Sequence, residues 1–547
     1  MINKTLESLK IEISKIIKSL GVNEDIDIFY EVPKDPSFGD YSVNVAMRLA
    51  RYLHKPPLEI ANEIVKHIDL DKNNLSKVEV KGAGFINFFL NRSFLNDVIF
   101  QINEEKDNYG NSNIGDGQKI NLEYVSANPT GFLHVGHGRG AAYGDSLARI
   151  LKKCGYDVTR EYYVNDGGNQ INNLAYSIYE RYKELFGLEC NLLDDYYHGP
   201  EIITIAKKIK ELNGDKYLKE EWFDYFRDYG VKFLLENLKV VLKEFGVEFD
   251  VWFSEKSLYD SNAIKEAIDK LEREGNTYVK DGAVWLKTEA RGDEKDRVIV
   301  KSDKTLTYLM PDIAYHANKL ARGYDKIVDV LGADHHGYID RLKAAIYYMG
   351  YDPDKLDVEI LQMVRVLQNG EEIKMSKRSG KAITLKDLMD EAGSDALRYM
   401  YSSKALSTHV DLDLDLMVSE SNENPVYYVQ YAYARICSLF RTLESSNKEF
   451  KQANSFKYVK EEKIKDIVSL LLQYPKVIEE AALKHLPHKL ASFAYSLAGA
   501  FHSFYNDNKI ISDNLEETCE LLTVANATGI VLKNCLNLIG VNVKEKM

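Results

Sequence analysis

Two histidines three residues apart, His134 and His137, stand among the glycines Gly131, Gly136, Gly138 and Gly140 in the stretch SANPTGFLHVGHGRGAAYGD at 126–145. Imidazoles donate to oxyanions, and glycines let a ligand approach main-chain N–H groups, so the chemistry these residue types support first is the handling of phosphate. A second set lies far along the chain, where KMSKR at 374–378 and the SGK that follows gather Lys374, Lys377, Arg378 and Lys381 in a polar segment. Such a run is ordinarily a solvated face. Paired with a histidine–glycine turn it acquires a meaning as the second half of a phosphate clamp.

Taken alone, the first stretch leaves other readings open. A dinucleotide site wants GxGxxG, whereas Gly136, Gly138 and Gly140 give GxGxG with no evident acidic partner at the end of the next strand. A zinc site could draw on His134, His137, His335 and His336, but HxxH lacks the flanking ligand and general base that make HExxH informative. A Walker A loop is excluded, because Gly380 and Lys381 lack the earlier glycine and are followed by Ala382. The bland alternative is glycines for packing and histidines that are merely satisfied.

The surrounding pattern says what positions these residues. KINLEYV at 119–125 reads as a strand, GAAYGDSLARILKKCG as a helix ended by Gly155, and VTREYYV as the next strand, an alternation that points to a parallel sheet. The histidine turn then leaves the carboxyl end of a strand and opens a helix, where α/β sheets bind ligands. Long polar helices over 170–275 exceed what a crossover needs and read as an insertion. IVDVLGADHHGYIDRLKAAIYYMG repeats the strand–loop–helix pattern. Strand signals fade from about 393, and helical periodicity runs through NPVYYVQYAYARICSLFRTL and HKLASFAYSLAGAFHSFYNDN. Upstream, helical patterns at 3–20 and 41–67 and a strand–turn–strand VEVKGAGFINFFLN form a separate α/β module, closed by the turn-rich DNYGNSNIGDGQ.

We therefore expect a multidomain α/β plus all-α chain: an N-terminal α/β domain over 1–110, a Rossmann-like parallel-sheet domain with an insertion over 111–394, and a helical bundle over 395–547. The 547 residues carry a net charge of −13, which argues against indiscriminate nucleic-acid binding. Cys154, Cys190, Cys437, Cys519 and Cys535 contain no CxxC pair, so neither a disulfide framework nor a thiolate zinc site is indicated, and a reducing cytoplasm fits. No apolar run long enough for a bilayer is evident, and no membrane association is expected.

In order and context, HVGH and KMSKR resemble the HIGH and KMSKS signatures of the class I aminoacyl-tRNA synthetases. Within that class the chain resembles the bacterial-type arginyl-tRNA synthetase family over nearly its whole length, in SANPTGFLHVGHGRGAAYGD, REYYVNDGGNQ, GADHHGYIDRLKAA, DALRYMY and NPVYYVQYAYAR. It departs from the family at Phe132, where proline is commoner, and in the final residue of the second signature, Arg378.

The resemblance implies an arginine–tRNA ligase. It would activate L-arginine with ATP to the adenylate and pyrophosphate, then transfer arginine to the terminal adenosine of tRNA(Arg). Magnesium would arrive with ATP, with no tightly bound metal and a monomeric chain. It further implies His134, His137, Lys374 and Lys377 as catalytic groups, and Gly136, Gly138, Gly332 and Asp334 beside ATP. Glu123, Ser126, Asn128, His137, Tyr308, Asp312 and His335 would lie beside arginine, with Glu123 and Asp312 facing the guanidinium. Phe85 and Asn87 of the first module, and Tyr427, Tyr431 and Arg435 of the helical tail, would touch tRNA. Against these stand plainer roles: an ion-paired carboxylate for Glu123 or Asp312, a strand core residue for Phe85, and an aromatic core stripe in the tail. A cysteinyl enzyme is disfavoured by the missing thiolate site, a tRNA-binding paralogue by the retention of both signatures, and a simple nucleotidyltransferase by the helical tail.

Overall fold

A computed structural model describes residues 2–24, 26–33, 35–373 and 383–547, and the side chains of all of these except 2–4, 36, 92–96, 334–336 and 461. The KMSKR segment, with Lys374, Lys377, Arg378 and Lys381, lies outside the described residues.

In the N-terminal module the strand Phe85–Leu90 runs between Leu75–Lys81 and Tyr41–Val43, antiparallel to both. The glycine turn of its hairpin is demanded by geometry. Gly84 has φ +116°, and a Cβ there would lie 2.9 Å from the Pro57 carbonyl. The helical pattern expected over 41–67 divides into the strand just named and two helices, Val45–Leu53 and Pro57–Lys66. Left-handed His54 (φ 50°) and the Pro56-Pro57 pair end the first helix and start the second.

Residues 119–361 build a five-stranded parallel sheet in the order Leu356–Leu361, Lys326–Gly332, Lys119–Glu123, Asp157–Val164, Val251–Ser254. The chain leaves its central strand in one direction and later returns on the other side, which opens a crevice at the carboxyl ends. Ile120, Asn121, Leu122 and Glu123 are all buried, as expected for a strand covered on both faces. Helices Gly168–Glu184, Pro200–Asn213 and Phe223–Glu244 form the inserted bundle, which has its own core around Ile178, Ile205 and Phe226. A second insertion is the antiparallel sheet of Thr277–Lys280, Ala283–Leu286 and Arg297–Val300.

Beyond the sheet the tail is helical, as the periodicity suggests, with one difference. Val410–Asp413 forms a short strand, parallel to Val364–Gln368. The helices Pro425–Ser445, Lys465–Leu483, His488–Asp507 and Leu515–Leu538 pack together, and Arg92–Glu105, from the end of the N-terminal segment, packs against two of them. Leu515–Leu538 has the length and apolarity of a membrane span, which the sequence reading did not register. Its most apolar stretch is 78% buried among its neighbours.

Candidate active site

The histidine turn is built by its own side chains. His134 is the N-cap of the helix Val135–Lys153; its Nδ1 accepts the Gly136 N–H at 3.1 Å, while its own N–H donates to Nδ1 of His137 at 3.2 Å. Each Nδ1 is thus an acceptor, so in the neutral rings the proton sits on Nε2 and is free to donate. Burial keeps the rings neutral: it lowers the His134 pKa and, with the neighbouring His134, brings that of His137 down to about 3. The rings stack with centroids 3.6 Å apart.

Glycine is required twice along this helix. A Cβ on Gly144 would meet the buried Tyr124 ring at 2.2 Å, which is how closely the helix lies on the sheet. A Cβ on Gly138 would lie 2.7 Å from Leu385 Cδ1 and 3.0 Å from the Tyr401 hydroxyl. The segment that follows the KMSKR region is fastened to the same turn. Leu385 N–H donates to the Leu133 carbonyl at 2.7 Å, and Thr384 bridges His134. The turn is approached by strained backbone, since Val125 (φ 69°) and Ser126 (φ 39°) are both left-handed. A β-branched residue there costs on the order of 1–3 kcal/mol and persists where surrounding structure enforces it.

Beside the turn, the strand ends carry two layers of charge. In the lower layer, Lys319 donates to Glu123 and, at 2.7 Å, to Asp329; Arg322 forks onto Glu161 at 2.7 and 2.8 Å. His316 places Nε2 2.7 Å from Asp329 and Nδ1 2.8 Å from the Asp312 main-chain carbonyl. Both ring nitrogens face acceptors, so His316 is an imidazolium; burial opposes that charge, and Asp329 outweighs it to leave its pKa raised. The carboxylates Glu123, Glu161 and Asp329 are therefore matched by the cations Lys319, Arg322 and His316.

The upper layer is not matched. Asp312 accepts from the Tyr338 hydroxyl, and Glu255, 8% exposed, accepts from Tyr163 at 2.7 Å. Burial, and then neighbouring carboxylates, raise the pKa of both. Among the described residues neither has an ion-pair partner. Asp166 is nearby but occupied, accepting from Ser254 Oγ at 2.6 Å and the Lys256 N–H at 3.0 Å. A Cβ on Gly167 would come within 3.0 Å of Glu255 Oε1, so the main chain lies directly against that carboxylate. Glu255 is buried and Asp312 half-buried, and among the described residues neither carboxyl group meets a cation.

The sequence candidates distribute as follows. Glu123 is buried, and its oxygens are taken by Lys319, Tyr315 and Ser126, so in this state it lies in the matched layer and not on the open face. Asp312 is on the open face. Tyr308, 77% exposed, stands one turn before it, and Asn128 pairs with Gln170 at 2.8 Å at the mouth. Gly332 ends its strand; the side chains of Asp334 and His335 lie outside the described set. Glu255 was not singled out from sequence. Its signal was positional, an acidic residue directly after the strand Val251–Ser254 at the ligand-binding edge of the sheet.

Far from this crevice, Phe85 is 37% exposed, whereas Asn87 is buried and accepts from Ser42 Oγ at 2.7 Å. Tyr427 and Tyr431 stack at 5.8 Å, and the Arg435 guanidinium sits 4.5 Å from the Tyr431 ring centre.

Comparison with known proteins agrees with this architecture. Three family models match: the arginyl tRNA synthetase N-terminal domain over residues 7–90, the class I (R) tRNA synthetase catalytic domain over 99–412 and the DALR anticodon binding domain over 429–547. Arginine–tRNA ligase of Bacillus subtilis is 49% identical over 546 residues, covering 98% of each chain. That of Anoxybacillus flavithermus is 48% identical and covers 100% of each. The solved arginyl-tRNA synthetase of Thermus thermophilus, 20% identical with a TM-score of 0.74 over 99% of this chain and 100% of its own, shares the fold. With the histidine signature at the mouth of the crevice, three family models that between them span most of the chain and relatives aligned end to end, the chain belongs to the arginyl-tRNA synthetase family.

Proposed function

We propose that this protein is an arginine–tRNA ligase whose adenylate-forming site is the crevice between the histidine turn and the unmatched carboxylates. The observation that carries the reading is the pair Asp312 and Glu255, which meet no cation among the described residues at the same ligand-binding edge of the sheet as the histidine turn. A guanidinium is permanently charged and donates in a fixed fork, so it satisfies both carboxylates at once. Tyr308, Asn128 and Ser126 at the mouth suit the polar α-carbon end, with His137 close by.

In the first step an arginine carboxylate oxygen attacks the α-phosphorus and pyrophosphate leaves. Negative charge grows on the phosphate oxygens, where the Nε2–H groups of His134 and His137 donate. Gly136 admits the nucleotide against the helix N-terminus, whereas Gly138 makes room for Leu385 and Tyr401 and so acts through packing; Gly332, Asp334 and His335 bound the other side of the nucleotide, and Lys374 and Lys377 serve the departing pyrophosphate. Magnesium enters on the phosphates as part of the nucleotide substrate. In the second step a hydroxyl of the terminal adenosine of tRNA attacks the activated carbonyl and AMP leaves.

Along tRNA, we assign Phe85 in the 1–110 domain to an exposed base, with the buried Asn87 bracing its strand through Ser42 and not touching the base, and with the 395–547 bundle contributing Tyr427, Tyr431 and Arg435; 111–394 performs the chemistry. The test is exchange of labelled pyrophosphate into ATP with each amino acid, with and without total tRNA. Arginine should give the signal when tRNA is present. A larger signal with another amino acid overturns the assignment.

A further inference from the structure

The helix Ser394–Ser402, which carries DALRYMY, lies within the residues matched by the catalytic-domain family, and its polar groups bond both to the signature helix and to the C-terminal bundle. Arg398 is 1% exposed and reaches three separate elements. Its Nε donates to the Ile539 carbonyl at 3.0 Å and Nη1 to the Phe245 carbonyl at 3.1 Å; Nη2 pairs with Asp145 at 2.5 Å. Phe245 and Ile539 are the C-caps of Phe223–Glu244 and Leu515–Leu538, so one guanidinium satisfies the unpaired carbonyls of two helix ends. Arg149 supports the same joint through Asp145 at 2.7 Å and the carbonyls of Gly246 and Asn537. Gly540 (φ 67°) is held to glycine here, because a Cβ would lie 2.1 Å from Arg398 Nη2.

Three residues further, about 4.5 Å along the axis, Tyr401 donates its hydroxyl to the Val135 carbonyl at 2.8 Å. Val135 is the residue between His134 and Gly136, and the Tyr401 ring fills the space that Gly138 leaves.

We infer that Ser394–Ser402 is a strut, and that Arg398 and Tyr401 are positioning residues for adenylate formation: they fix the histidine turn relative to the last helix of the insertion and the last helix of the chain. The inference rests on the reading of that turn as the α-phosphate site. A strut makes its two ends act as one, so loss of either contact loosens the same two imidazoles.

The experiment measures arginine-dependent pyrophosphate exchange, in the presence of tRNA, on the full chain carrying Tyr401→Phe, Arg398→Lys, both together, or His134→Asn. Tyr401→Phe removes one hydrogen bond and should lower kcat about fivefold. Arginine KM should stay within about twofold, with no fall in melting temperature. Arg398→Lys keeps the charge but not the fork, and the double variant should be no slower than the slower single. Losses that multiply, an unchanged kcat in Tyr401→Phe, or parallel loss of kcat, arginine affinity and melting temperature overturn the strut. If Arg398→Lys does not fold, Tyr401→Phe alone decides. Wild-type exchange by His134→Asn would instead remove the reading of the turn itself, which separates the two failures.

Discussion

His134 and His137 each give Nδ1 to a main-chain N–H of the turn they share, His134 to Gly136 and His137 to His134. The turn thereby fixes both tautomers, and the groups that face the crevice are donors. Asparagine at 134 can cap the helix as the imidazole does but cannot reach as far with a donor. We expect His134→Asn to keep the folding midpoint and lower exchange kcat by about a hundredfold, the usual loss for a donor aimed at developing charge. Equal falls in midpoint and kcat would make the histidine only a cap.

The same burial gives a pH signature. His137 titrates at about 3 in the folded chain against a reference value of 6.5, so between those values the unfolded chain holds the extra proton. Stability is therefore intact above 6.5 and is lost as pH falls towards 3. Urea midpoints measured at pH 7.5 and 5 should drop more for the native chain than for His137→Asn. Parallel drops would show that His137 is charged in the fold.

Asp312→Asn and Glu255→Gln each leave the pocket with one charge. Arginine KM should rise by about a hundredfold in either variant, as for truncated buried charge pairs, with ATP KM unmoved. Citrulline, the neutral ureido counterpart of arginine, should compete poorly with arginine on the native enzyme and less poorly on the variants. A Glu255→Gln enzyme with native arginine KM would return the guanidinium to Asp312 alone.

Gly144→Ala tests the seat of the signature helix. The added methyl would overlap the Tyr124 ring, which is buried and cannot swing away. Overpacking of this kind costs about 1–3 kcal/mol, visible as a lower urea midpoint, and backing the helix off the sheet should also slow exchange. An unchanged midpoint would mean that the helix and strand are not in rigid contact.

Much of the site was legible in sequence because its parts are local. HVGH opens the helix that follows the central strand, and the glycine spacing states where the backbone must be approached. The pairing of Lys319 with Glu123 was not legible, since the two are far apart in the chain and meet only when neighbouring strands align. The resemblance alone sets Glu123 beside the guanidinium, whereas Glu255, in FSEKS, carries no comparable signal in the sequence. Helix boundaries followed prolines and glycines closely, and Val410–Asp413 escaped notice because four residues carry too little pattern to compete with the helical text on either side.

The helix Leu515–Leu538 has a consequence for synthesis of the protein itself. It supplies the apolar surface onto which Arg92–Glu105 packs, and the cap beside it receives Arg398. A ribosome makes this helix only after every strand of the catalytic sheet, so the sheet emerges before the helix that braces its signature turn. Until those turns leave the exit tunnel, the nascent chain has its histidine turn and no joint to hold it. A copy cut short before Leu515 would be an incomplete core for the cell's proteases and not a weak enzyme.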